Sequence, residues 1–206
     1  NVKKSEIITL LKENLPFIAE NLSGLDNNAV FNILNYHLKN RFSFTKAIIS
    51  PNGSKKDFMD IFREFAKDHD RFTLDELSAF AKSQNTGIYW EDTFIGGAVR
   101  INRTEFVNQR MFVFDVEAID QILGNLCPGN FISLHEIPSA MMMHFPSCGY
   151  SWNGYLLQSY LFCFSKKFKL VCKSFSKTGY YGAIVRRNSE IKWYDQLVQE
   201  VLTDDR

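Results

Sequence analysis

The stretch RFTLDELSAF, residues 71–80, is echoed by FISLHEIPSA, residues 131–140. Thr73 with Glu76, and Ser133 with Glu136, each form a hydroxyl-x-x-carboxylate box that follows an apolar residue and opens an apolar-periodic run. Such a box starts a helix, because its hydroxyl and carboxylate satisfy amide donors that have no partner inside the helix. One box is common. A box whose flanks repeat with it marks a repeated module.

The flanks do repeat. Ahead of the first box, DFMDIFREFAKDHD (57–70) reads as a helix opened by Asp57, with Phe58, Ile61, Phe62 and Phe65 on one inward face. Ahead of the second, DVEAIDQILGNLC (115–127) is opened by Asp115 and stopped by Pro128-Gly129. A short helix follows each box, from Leu74 to Ser83 and from Leu134 to His144. Then come the loops NTG (85–87) and FPSCG (145–149), each leading to a tryptophan, Trp90 or Trp152. Third helices are expected over 90–101 and 152–164. Strand-like runs then begin at Phe106 (FVNQRMFVF) and Phe168 (FKLVCKSF), the latter turning through KTGYYG into AIVRR as a hairpin. A fainter copy comes first: KSEIITLLKENL supplies its first helix, NNAVFNILNYHLKN a later one, and Phe44 stands where Phe106 and Phe168 stand. PNGSKK (51–56) then joins it to the next copy as a turn.

The order of helix, short capped strand, helix, turn, helix and strand pair resembles the winged-helix form of the helix-turn-helix. The resemblance is one of pattern, covers most of the chain and transfers no functional residue. It implies an α+β fold, mainly helical, of two to three tandem winged-helix modules. These would be a degenerate module over 1–53, one over 54–114, and one over 115–206 that carries a basic hairpin and a C-terminal helix. A module of about 60 residues is marginal alone, which favours packing in tandem.

A net charge of +1 over 206 residues argues against indiscriminate binding of polyanions. The distribution is uneven. No Asp or Glu occurs from Ile137 to Ser189, whereas Lys166, Lys167, Lys169, Lys173, Lys177, Arg186 and Arg187 all fall there, leaving −6 on the remainder. Clustered cations of this kind neutralise phosphates and release counterions. The expected site is therefore a non-catalytic contact with DNA or RNA, made by these seven cations and Tyr180 on the hairpin, with Asn153 and Gln158 of the third helix facing bases. That helix, WNGYLLQSYLFCF, has no Lys or Arg and too many apolar residues for one wet face, so the weight falls on the hairpin. The competing expectation is a scaffold for a protein partner or for the rest of a longer chain, with the cations forming a solvated hairpin face.

No metal or other cofactor is expected. Cys127, Cys148, Cys163 and Cys172 form no CxxC or CxH arrangement, and the last two lie in apolar runs where a thiol behaves as a small hydrophobe. Such thiols suit a reducing compartment, cytoplasm or nucleus. Neither GxxxxGK[ST] nor GxGxxG occurs, and no strand-turn-helix elbow singles out a nucleophile, so no enzyme is expected. Gly96-Gly97, inside the expected third helix, point to a close backbone approach or a break. LQSYLFCFS is cut off by Lys166-Lys167, well short of the roughly 18 apolar residues that a membrane helix requires.

Overall fold

Among the described residues, three short sheets share one strand order. The computed structural model describes residues 2–3, 6–22, 24–44, 48–51 and 57–204. It is α+β, about half helical, with small antiparallel sheets. The residues divide into two compact units, 1–61 with 81–87, and 62–80 with 88–206.

The smaller unit contains β1 (Val2–Lys3), α1 (Ile7–Asn14), α2 (Pro16–Asn21), α3 (Asn27–Leu38), β2 (Phe42–Phe44) and β3 (Ile48–Pro51). Pro16 separates α1 from α2. It excludes Leu15 from helical geometry and takes the first position of α2, where its missing amide costs nothing. Asp26 caps α3 by accepting from the Ala29 amide at 2.8 Å. Ile7, Val30 and Phe31 form the core, and Phe31 meets Phe44 edge-on at 5.3 Å. The sheet runs antiparallel in the order β1-β3-β2. α1 is the first helix, as KSEIITLLKENL suggests, and the strand β1 precedes it. The turn expected at Asn52-Gly53 lies outside the described residues.

α4 (Phe58–Asp68) leads into the larger unit, followed by β4 (Arg71–Thr73), α5 (Leu74–Ser83), α6 (Trp90–Ile95), β5 (Ala98–Arg100) and β6 (Glu105–Asn108). The first box closes at the junction of β4 and α5. The Glu76 carboxylate accepts from the Thr73 amide at 2.7 Å and hydroxyl at 2.9 Å, and the Glu76 amide donates back to that hydroxyl at 3.2 Å. These bonds hold the Glu76 carboxyl below the usual carboxylate range. Behind the junction Phe72 stacks on Phe106 at 4.9 Å and Phe65 on Phe80 at 4.3 Å, so the phenylalanine stripe is core.

The third helix expected over 90–101 stops at Ile95. A Cβ at Gly96 would run into the Arg63 backbone carbonyl, and Gly97 has φ +102°, so the pair provides both a close approach and a break. Ala98–Arg100 forms strand β5 instead, buried throughout. A strand buried on both faces lacks the alternation that distinguishes it from helix, which explains the misreading. The run at Phe106 is consequently a return strand, β6, in the middle of its sheet. Phe168 begins an outer strand, so the two phenylalanines are not equivalent positions.

The rest of the unit comprises α7 (Val116–Leu126), β7 (Phe131–Ser133), α8 (Ser139–Met142), α9 (Gly154–Cys163), β8 (Phe168–Phe175), β9 (Tyr180–Arg186) and α10 (Tyr194–Asp204). Asp115 caps α7 through the Ala118 amide at 3.0 Å. The second box also closes, but on a single 3-10 turn over 134–136. Pro138 lacks an amide and holds Ile137 extended, so the helix expected from Leu134 to His144 is split. The unit's sheets run β4-β6-β5 and β7-β9-β8. On the inner face of the last sheet, Phe168, Leu170 and Ile184 pack against Leu123, Leu157 and Tyr160. On its outer face, Val171, Ala183 and Val185 are covered by Ile191 and Leu197. Among the described residues no helix is long and apolar enough to cross a membrane.

Gly96→Ala is expected to cost about 1–3 kcal/mol, because the blocking atoms are backbone. Gly129→Ala, with open space around it, should stay within about 0.5 kcal/mol of the parent. Urea denaturation of the two variants checks the difference.

Candidate nucleic-acid interface

One carboxylate builds the loop between α9 and β8. Asp120 lies on the apolar face of α7 and is 1% exposed. It accepts from the Tyr160 hydroxyl at 2.8 Å, the Ser165 hydroxyl at 2.7 Å, and the amides of Lys166 and Lys167 at 2.9 and 2.8 Å. Four donors offset the cost of burying the charge. Burial first, and the bonded Asp120 carboxylate second, push the Tyr160 phenol above its usual range.

This loop exposes Lys166 and Lys167, and the end of β9 brings Arg186 and Arg187 beside it. The Arg187 amide donates to the Lys167 carbonyl at 2.8 Å, and its guanidinium donates to the Ser165 carbonyl at 2.7 and 3.1 Å. Arg186 pairs in register with Phe168 and lies over that ring at 5.8 Å. Four exposed cations thus gather at the base of the hairpin. Among the described residues no carboxylate pairs with any of them.

The other expected site residues are placed differently. Lys169 donates its Nζ to the Ser189 carbonyl at 2.7 Å. Lys173 pairs with Glu91 at 3.3 Å and lies over the Phe162 ring at 5.4 Å. Lys177 is exposed at the far turn, roughly 25 Å along β8 from the base cluster. Tyr180 stacks on His135 at 4.6 Å and fills the space where a Cβ on Gly154 would stand.

Asn153 and Gln158, expected to face bases, are committed inside the protein. Asn153 caps α9, accepting from the Tyr155 and Leu156 amides at 3.0 and 3.2 Å and donating to the Ile101 carbonyl at 2.6 Å. Gln158 is 1% exposed and donates to the Ser174 and Tyr181 carbonyls at 3.1 and 2.9 Å, stapling the hairpin to the helix. The cause is the setting of α9, which lies between its own sheet and the edge of β5. There its Ser159 hydroxyl accepts from the Arg100 amide at 3.1 Å, and Leu156 packs with Val99 and Val107.

Arg100, like Asp120, is a residue that sequence reasoning did not single out. It is fully buried in β5, donating to the carbonyls of Ser176 at 2.6 Å, Arg103 at 2.6 Å and Lys177 at 3.1 Å, with Tyr155 and Trp90 rings at 4.3 and 5.2 Å. Burial pushes its pKa down to about 10, so it is charged at neutral pH. The available signals were a cation inside the apolar run AVRI and, for Asp120, an acid on the stripe of Val116, Ile119 and Leu123. Among the cysteines, burial pushes the Cys163 thiol up to about 12. Cys172 departs from the expected burial. It is exposed, with φ +49°, where the register of β8 with β9 shifts.

Among the described residues no three or more His, Cys, Asp or Glu side chains converge on a shared point that could hold a metal. Comparison of the chain with known family models, curated proteins and solved structures gives no match.

Asp120→Ala would leave the Ser165 hydroxyl and the Lys166 and Lys167 amides without their acceptor, at about 1–3 kcal/mol each where they stay buried, while the Tyr160 hydroxyl keeps the Val116 carbonyl at 3.2 Å, so a loss of roughly 3 kcal/mol or more is expected. Asp120→Asn, which keeps one acceptor oxygen, should lose less. Urea denaturation midpoints of the two variants provide the comparison.

Proposed function

We propose that the chain is a tandem winged-helix array, with modules over 1–53, 54–114 and 115–206, that binds nucleic acid without catalysing a reaction. Phosphate contacts are made at the base of the last hairpin. The observation that carries this reading is the cluster of Lys166, Lys167, Arg186 and Arg187, four exposed cations on a backbone fixed by Asp120. Such a cluster draws a polyanion by releasing its counterions, which requires no base recognition. Support for the module reading comes from the strand orders β1-β3-β2, β4-β6-β5 and β7-β9-β8, each with the last strand in the middle. Lys169 and Lys173 serve the protein's own structure, and Lys177 stands apart at the tip.

A second reading, a protein-interaction scaffold, is favoured by α10 and the residue before it. Trp193, Tyr194 and Leu202 there are 68%, 72% and 69% exposed. Exposed apolar side chains on one short segment suit a partner surface. Salt dependence separates the two readings.

Changing Lys166, Lys167 and Arg186 together to Gln is expected to weaken binding to a fluorescent mixed-sequence duplex. It should also flatten the slope of log affinity against log salt by up to about 0.9 per lost contact, that is by 2 to 3. Arg187 is left in place because it holds the Ser165 carbonyl. Lys82→Gln, an exposed cation elsewhere, should leave the slope unchanged. An unchanged slope in the triple variant rejects the site, and absence of binding at low salt shifts the function to the scaffold.

A further inference from the structure

Three helices stand immediately before a strand pair, α3, α6 and α9, and they differ in what they leave exposed. In α6, Asp92, Thr93 and Phe94 are buried. In α9, the buried run extends from Leu156 through Leu161. α3 buries only one side, with Val30 and Phe31 inside and Leu34 and Leu38 half-buried. Its opposite stripe, Asn28, Asn32, Asn35 and Lys39, follows the three- and four-residue spacing of a single helical face and is exposed along its whole length. Tyr36 stands beside it, 73% exposed.

Asparagine is a poor choice for an exposed helix position, because its amide competes for backbone groups and favours turns. α3 nonetheless has four in twelve residues. The stretch from Asn27 to Lys56 also contains no Asp or Glu but five Lys or Arg, including Lys39 at the end of the stripe and Arg41 just past it. A row of exposed planar amides ending in cations is chemically matched to base edges flanked by phosphates. An asparagine amide offers a donor and an acceptor in one plane, the complement of the N6 and N7 edge of adenine.

We infer that α3 reads base edges in the major groove of B-form DNA, with Asn32 and Asn35 contacting bases and Lys39 and Arg41 contacting phosphates. This inference rests on the nucleic-acid reading proposed above and adds to it a sequence-reading element in the other unit. DNA rather than RNA is the ligand because the B-form major groove, about 12 Å wide, admits a helix about 10–12 Å across. The A-form groove is too narrow for side chains to reach its bases.

The test uses the full chain. A preferred duplex is selected from a randomised library, and the ratio of its affinity to that of a scrambled duplex is measured across a salt series. Asn32→Ala with Asn35→Ala should lower that ratio at least about tenfold while leaving the salt slope intact. Lys39→Gln with Arg41→Gln should flatten the slope by up to about 2 while preserving the ratio. All four positions are exposed, and circular dichroism should show the Asn→Ala variant melting no lower than the parent, since alanine is the better helix former, and the Lys39 and Arg41 variant still folded. If selection yields no preferred sequence, or the double Asn variant keeps the ratio with binding intact, the inference is overturned and the hairpin reading stands. Tighter binding to double-stranded RNA of the same sequence overturns the assignment to DNA. No duplex binding at low salt overturns both readings.

Discussion

The larger unit depends on the seam where the edge of β5 meets α9. Arg100 lies buried at that seam with no carboxylate partner among the described residues, its charge distributed over three backbone carbonyls and the faces of three aromatic rings. A fork of fixed donors suits that arrangement, whereas a lysine ammonium on a flexible stem does not. Its backbone amide reaches the Ser159 hydroxyl, and Asn153 reaches the Ile101 carbonyl beside it. Together these bonds consume the side of α9 that would otherwise face solvent. A helix enclosed on both sides must be apolar nearly all round, and α9 is. The helix is thereby left without a free side on which a ligand could lie.

The cations of the last hairpin divide by task rather than forming one patch. Lys169 and Arg187 close onto backbone carbonyls, Lys173 onto a carboxylate and a ring, and Lys166, Lys167 and Arg186 remain to set the surface field. Asp120 is what makes this division stable. By accepting the amides of two consecutive lysines it fixes the backbone from which they project. The acid is invisible from outside, yet the placement of the positive charge is its work.

Features set by neighbours in the chain were legible from residue order. Both boxes close, Asp115 caps α7, and the glycine pair after Ile95 provides the anticipated close approach and break. Features set by distant packing were not. Ala98–Arg100 could not be told from helix because both faces of the strand are covered. Asn153 and Gln158 were legible as polar but not as buried, since the amide that suits a base edge equally suits a helix cap or a carbonyl staple. The cluster at the hairpin base was legible as charge, while its separation from Lys177 required the strand between them. The α3 stripe was readable in principle from the acid-free interval between Asp26 and Asp57 combined with the periodicity of its asparagines.

The break in β8 bears on how copies of the chain behave when crowded. β8 is an outer strand of its sheet, and its register with β9 shifts between Val171 and Ser174, where Cys172 takes positive φ. An intact outer strand offers a continuous row of amides and carbonyls on which a strand from another molecule can zip. A bulge re-aims part of that row and increases the local twist. Copies of the chain brought to high local concentration meet the condition under which strand edges fuse. The interrupted edge lets neighbours lie side by side and still part.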